Sequence, residues 1–92
     1  MVNALVIDDR DTVAVAMADL APGAPVTLSS GTAPRVHVLD PIPFGHKIAL
    51  AHIAQGAHVI KYGASIGVAA RDIRPGEHVH VHNLKSVRGA AR

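Results

Sequence analysis

Three stretches of the 92-residue chain share one phrase: "VAVAMADLAPGAPV" from Val13 to Val26, "IALAHIAQGAHV" from Ile48 to Val59 and "VAARDIRPGEHV" from Val68 to Val79. Each contains Leu or Ile, two residues, Gly, two residues and Val, with Gly23, Gly56 and Gly76 as the glycines. The intervals are unequal, so this is not a solenoid of fixed period. It is one folding device reused within a single domain. Ala-Pro-Gly and Arg-Pro-Gly are turn chemistry, because Pro presets φ and Gly accepts a positive φ without steric cost. Asp19 and Asp72 stand at turn entrances, where a carboxylate can accept backbone N–H groups. The device predicts equivalent turns at the three glycines, with Leu20, Ile53 and Ile73 buried beneath them. Val15 to Asp19 has enough helix propensity for a short helical turn before Gly23.

The segments between the turns read as strands. Ala4 to Ile7 is a buried first strand, and Arg35 to Leu39 alternates. Val59 to Tyr62 and Ile66 to Val68 read as a hairpin around Gly63-Ala64-Ser65. Ser29 to Pro34 reads as a loop tip, and Asp40 to Gly45 as a loop stiffened by two prolines. Frequent turns and short strands predict an all-β domain, a small folded-over, barrel-like sheet with short helical turns. The domain is expected over residues 1–86, with 87–92 as a flexible tail. Phe44 and Tyr62 are the only aromatic residues, so the core must be Val, Ile, Leu and Ala. A chain this short buries only roughly 60–65% of its unfolded surface. Self-association into a homo-oligomer is therefore expected of the isolated chain.

Composition removes several classes of function. Without cysteine there is no disulfide, thiolate metal site or Cys nucleophile. Two aromatics cannot build a stacking platform, and a formal charge of +2 with dispersed basic residues is a poor footprint for nucleic acid. The amino terminus is not a signal peptide, and no apolar run reaches the length of a membrane span. The expectation is a cytoplasmic protein that binds neither nucleic acid nor membrane.

The chemistry-bearing residues gather in three places. "GEHVHVHN", residues 76–83, puts His78, His80 and His82 at every second position. On one strand, adjacent members of this set lie about 6.6–7 Å apart and the outer pair about 13 Å apart. Three in a row cannot easily share an ion, so at most two adjacent histidines would be ligands. His80 and His82, which end the strand beside Asn83 where a pocket can open, are taken as the functional pair and His78 as supporting or solvated. The same alternation also fits a plain exposed strand. "PFGHKIAL", residues 43–50, places His46 and Lys47 at a loop end, where reactive groups are often held by a rigid scaffold. "VIKYG", residues 59–63, offers Lys61 and Tyr62 to an anion. His37, His52 and His58 read as surface or satisfied histidines. No phosphate loop, dinucleotide fingerprint or Ser-His-Asp arrangement appears, so the chain reads as half of a site that a partner completes.

"VAVAMADLAPG", "IPFGHKIAL", "VIKYGASIG" and "DIRPGEHVHVHNL", in that order, resemble the SAF domain, of β-clip fold, found in the altronate and galactarate dehydratase family. The resemblance runs from about Ala4 to Ser86. It implies a hydro-lyase that removes the proton α to a carboxylate of a sugar acid and expels a β-hydroxyl, commonly with Fe2+, or with Mn2+ or Mg2+. Carried over by residue, it implies His46, Lys47 and His80 as catalytic, Lys47, Lys61 and Asn83 as substrate-binding, and His80 and His82 as metal ligands. Long members continue into a large catalytic domain, so the chain is expected to be a small subunit, inactive without a large dehydratase subunit. The alternatives are the alpha subunit of a sulfolactate sulfo-lyase, and a non-catalytic SAF module that binds a carbohydrate or protein partner.

Overall fold

Four turns organise the chain, one more than the repeat predicts. A computed structural model describes residues 2–28 and 36–86. In it Gly23, Gly45, Gly56 and Gly76 have φ of 91°, 83°, 84° and 93°. Each sits third in a turn closed by a backbone bond, Ala24 N–H to Ala21 O, His46 to Pro43, Ala57 to Ala54 and Glu77 to Arg74, at 2.9–3.1 Å. Positive φ at the third position is the type II pattern, which glycine satisfies without strain. The added turn lies in the segment expected to be a proline-stiffened loop. Ile42, two residues, Gly45, two residues and Ile48 is a fourth copy of the device, disguised by Pro41 and Pro43.

The four copies work in two pairs. Leu20 bridges Ile42, and Ile53 bridges Ile73, each pair antiparallel and joined by two backbone bonds of 2.8 and 2.9 Å. The carboxylates cap the turn of the paired copy rather than their own. Asp19 Oδ1 accepts the Phe44 N–H and Asp72 Oδ1 accepts the Gln55 N–H, both at 2.8 Å. As expected, Leu20, Ile53 and Ile73 are buried.

Seven short strands complete the fold: β1 (Ala4–Leu5), β2 (Val13–Ala16), β3 (Lys47–Ala49), β4 (His58–Lys61), β5 (Ala64–Ala69), β6 (His78–Val79) and β7 (Leu84–Lys85). They form two antiparallel sheets, ordered β1-β2-β3-β6 and β4-β5-β7. The first sheet divides two cores, because neighbouring residues on a strand face opposite sides. Ala14 and Ile48 belong to a core with Leu20, Val26, Val38 and Ile42. Val13 and Ala49 belong to the other, with Ile53, Val59, Ile73 and Val79.

Some expectations are corrected. No helix occurs among the described residues, and Val13 to Ala16 is strand, because its alternate residues serve two cores. None of the described residues forms a helix long and apolar enough to cross a membrane. The β4–β5 hairpin turns at Tyr62-Gly63, with φ of 57° and 75°, rather than at residues 63–65. Two consecutive positive φ values match the twist of a two-residue hairpin, and Asp11 Oδ1 holds the turn by accepting the Gly63 N–H at 2.8 Å. Of the expected strand from Arg35 to Leu39, only His37 is bridged, to Pro25. Arg35, the loop at 29–34 and the tail at 87–92 lie outside the described residues.

The glycines are not equivalent in cost. A side chain at Gly23 would meet nothing within 4 Å, whereas one at Gly76 would collide with the His37 carbonyl oxygen. Gly23→Ala should cost only the left-handed backbone penalty, about 1–2 kcal/mol. Gly76→Ala should cost more than about 3 kcal/mol, since strain and overlap add. Denaturant unfolding of the two variants checks the difference; equal midpoints would contradict it.

Candidate functional site

The β3–β6 pairing assembles the site. Lys47 lies opposite Val79 and Ile48 opposite His78. Continuing that register by one residue sets His46, from the Gly45 turn, across from His80. His46 Nδ1 is 2.9 Å from His78 Nε2, so one ring donates to the other. The His46 and His80 ring centroids are 4.7 Å apart, and those of His78 and His80 are 5.4 Å apart.

The segment expected to be one long strand is not one. β6 ends at Val79, and residues 81–83 form a turn. The turn folds His82 back until its ring centroid lies 5.5 Å from that of His78, far inside the extended-strand distance that excluded a three-histidine cluster. The group able to converge is His46, His78 and His80, whose ligating nitrogens all lie within 4.8 Å of one another. Imidazoles sharing an ion at about 2.1 Å have nitrogens roughly 3–3.5 Å apart, which small ring rotations supply here. His78, read from the sequence as supporting or solvated, belongs to this trio. His82, expected as a ligand, stands beside it, exposed.

Burial, reinforced by the neighbouring His46, His80 and His82, pushes the His78 imidazole below its usual range, against the opposing pull of Asp40. This favours the neutral form of His78, whose nitrogen lone pair can bind a cation or accept a proton. Asn83 is the one buried polar side chain among the described residues, fully enclosed. Its Oδ1 accepts the His80 N–H at 3.0 Å and its Nδ2 donates to the His78 carbonyl at 2.8 Å. Each of its polar atoms thus bonds the backbone of the histidine segment.

Lys47 shares the strand face of Ala49 and Val79, not that of Ile48 and His78. Adjacent in sequence, His46 and Lys47 thus serve different sides of the ribbon. His80 joins the two sides: it packs on His46 and also lines an open hollow of about 300 Å³ with Lys47, Ile66, Val81, Leu84 and Ser86. Partial burial, then the charge of Lys61, lowers the Lys47 pKa. Lys61 Nζ itself sits 4.6 Å from the centre of the Tyr62 ring. Of the remaining histidines, His37 and His52 are exposed, and His58 Nδ1 pairs with Ser65 Oγ at 2.7 Å.

Residues 2–87 match the altronate/galactarate dehydratase SAF domain. The chain belongs to this family. Its SAF domain is 50% identical over 76 residues to altronate dehydratase of Escherichia coli (strain K12), a match covering 83% of this chain and 15% of that protein. It is 40% identical over 80 residues to altronate dehydratase of Bacillus subtilis (strain 168), covering 87% of this chain and 16% of the relative. It is also 53% identical over 51 residues to (2R)-sulfolactate sulfo-lyase subunit alpha of Chromohalobacter salexigens, covering 55% of this chain and 54% of that subunit. The SAF domain therefore spans a small part of the dehydratases and about half of the sulfo-lyase subunit. The all-β architecture, with paired turns and two short sheets, is consistent with a small β-clip.

Proposed function

We propose that this SAF domain supplies one wall of a metal-dependent hydro-lyase site that a much larger dehydratase chain completes, acting in the cytoplasm on a sugar acid such as altronate or galactarate. The observation that carries the reading is the convergence of His46, His78 and His80. The similarity to altronate dehydratases supports the substrate class. Three imidazole nitrogens suit Fe2+ and other borderline cations, and suit Mn2+ and above all Mg2+ less well, since these favour oxygen. A divalent ion held there would act as a Lewis acid on the substrate oxygens and stabilise the charge that develops as the α-proton leaves.

The protein's own groups divide the remaining work. Lys47 is partly stripped of water and faces another cation. A substrate carboxylate would relieve both penalties, which makes the Lys47–Lys61 side the carboxylate end of the site. His80 lies in the same hollow, so an anion held by Lys47 brings its α-carbon towards the His80 ring. A neutral ring cannot ligate an ion and accept a proton at once, so in this step His46 and His78 would hold the ion while the His80 imidazole takes the α-proton, oriented by His46 packed on it. The C–H electron pair forms the new double bond as the β-carbon–oxygen bond breaks, and the leaving hydroxyl takes the proton back from the His80 imidazolium and departs as water. The larger chain contributes the remaining substrate contacts, and the isolated domain has no turnover.

The match to sulfo-lyase subunits favours a second reading, in which this chain is such an alpha subunit and the leaving group is sulfite. The same α-proton abstraction serves both, but sulfite leaves without first gaining a proton. Assaying the assembled enzyme with altronate, galactarate and sulfolactate separates the readings.

The metal role is tested on the full chain alone. Anaerobic calorimetric titration with Fe2+, or with Zn2+ as a stable surrogate, should show one equivalent bound, and His46→Ala should weaken binding by at least about tenfold. Absence of binding in the micromolar range by both the chain and the assembled enzyme would overturn that role.

A further inference from the structure

We infer that Asn83 is the positioning residue that brings His82 against the histidine cluster, by ending β6 after Val79 and folding the following turn back over it. The inference rests on reading the cluster as a metal site, and it adds how this chain builds that site. β6 is the last strand of its sheet, so one side of it has no neighbour. In an antiparallel ladder alternate residues bond the neighbouring strand and the others point N–H and C=O away. The Ala49 N–H donates to the Glu77 carbonyl across the ladder. His78, one residue later and opposite Ile48, directs both its groups outward. Asp40 Oδ2 accepts its N–H at 3.0 Å, and Asn83 Nδ2 donates to its carbonyl at 2.8 Å.

Asn83 thus does at this edge what another strand would do elsewhere, and the geometry of the turn follows. Its Oδ1 takes the His80 N–H at 3.0 Å, and its own N–H donates to the His80 carbonyl at 3.1 Å, which closes residues 80–83. The Asn83 carbonyl accepts the Ala70 N–H at 2.9 Å, anchoring the turn to the chain just beyond β5. If the strand continued instead, His80 and His82 would point along one face, with His82 roughly 13 Å from His78. Folded back, His82 comes to 5.5 Å of His78 by ring centroid. The His46–His78 and His46–His80 contacts need no such help, because the β3–β6 register sets these residues beside one another.

The test compares the full chain with Asn83→Ala and with Val26→Ala, a destabilising control in the first core. Zn2+ affinity, thermal unfolding and proton contacts between imidazole rings by NMR are read together. Asn83→Ala should lose the His78–His82 contact, keep His46–His78 and His46–His80, and bind Zn2+ roughly tenfold more weakly, because Asn83 also holds the backbone of His78 and His80. Val26→Ala should lower the melting temperature with Zn2+ affinity unchanged below it. Should Asn83→Ala not fold, Asn83→Ser, which retains one hydrogen-bonding group, takes its place. An Asn83 variant that folds and keeps the His78–His82 contact overturns the inference. So does a wild-type spectrum lacking that contact or a protected Asn83 side-chain amide. Wild-type chain that shows the contacts yet binds no Zn2+ would remove the metal reading while sustaining the positioning role.

Discussion

His80→Ala in the assembled enzyme is expected to reduce kcat by ~10²–10⁴-fold, the range lost when a positioned acid–base group is removed. The size follows from where the ring sits. It is the one imidazole that both packs on His46 and lines the hollow with Lys47, so its loss separates the cation-binding side from the carboxylate side. The same substitution should leave stability within about 0.5 kcal/mol, because His80 is exposed and its backbone bond to Asn83 survives. His82→Ala, beside the cluster but outside the converging trio, should cost far less activity. Steady-state kinetics of both variants with the large chain present, alongside thermal unfolding, would check this. Full activity in His80→Ala would reduce the cluster to an edge decoration.

Ile73→Ala is expected to destabilise the domain by about 2–5 kcal/mol, from lost burial and the cavity left behind. Ile73 is wholly buried and bridges Ile53 in the second core. Against a total of about 5–15 kcal/mol for a typical domain, that is a large share. Ile42→Ala, the counterpart in the first core, should cost a similar amount. β2 and β3 face both cores, so either variant should still unfold in one transition. Urea unfolding followed by a backbone and a side-chain probe tests this. Two separated transitions would mean that the cores are independent.

Much of this architecture was legible because it is written locally. Gly23, Gly56 and Gly76 announce their turns through residues at fixed offsets, and Leu20, Ile53 and Ile73 fall into the core by the same spacing. The fourth turn carries the same offsets around Gly45 but was hidden by its prolines, which favour loop and turn alike. The helical turn expected near Val15 failed for a different reason. Its propensity was overruled by pairing with β1 and β3, which no short window contains.

The polar site divides along the same line. Local pattern singled out His46, Lys47 and the alternating histidines as unusual, and the family motif gave them a common chemistry. Which imidazoles meet was decided by contacts between distant segments. The β3–β6 register brings His46 to His78, 32 residues away in the chain. The Asn83 turn then breaks the period-two geometry on which the choice of His80 and His82 depended. A period is a property of neighbours in sequence and can be read from them. Where an edge strand stops depends on which side chain satisfies its outward N–H and C=O groups, and that is settled only when the chain has folded.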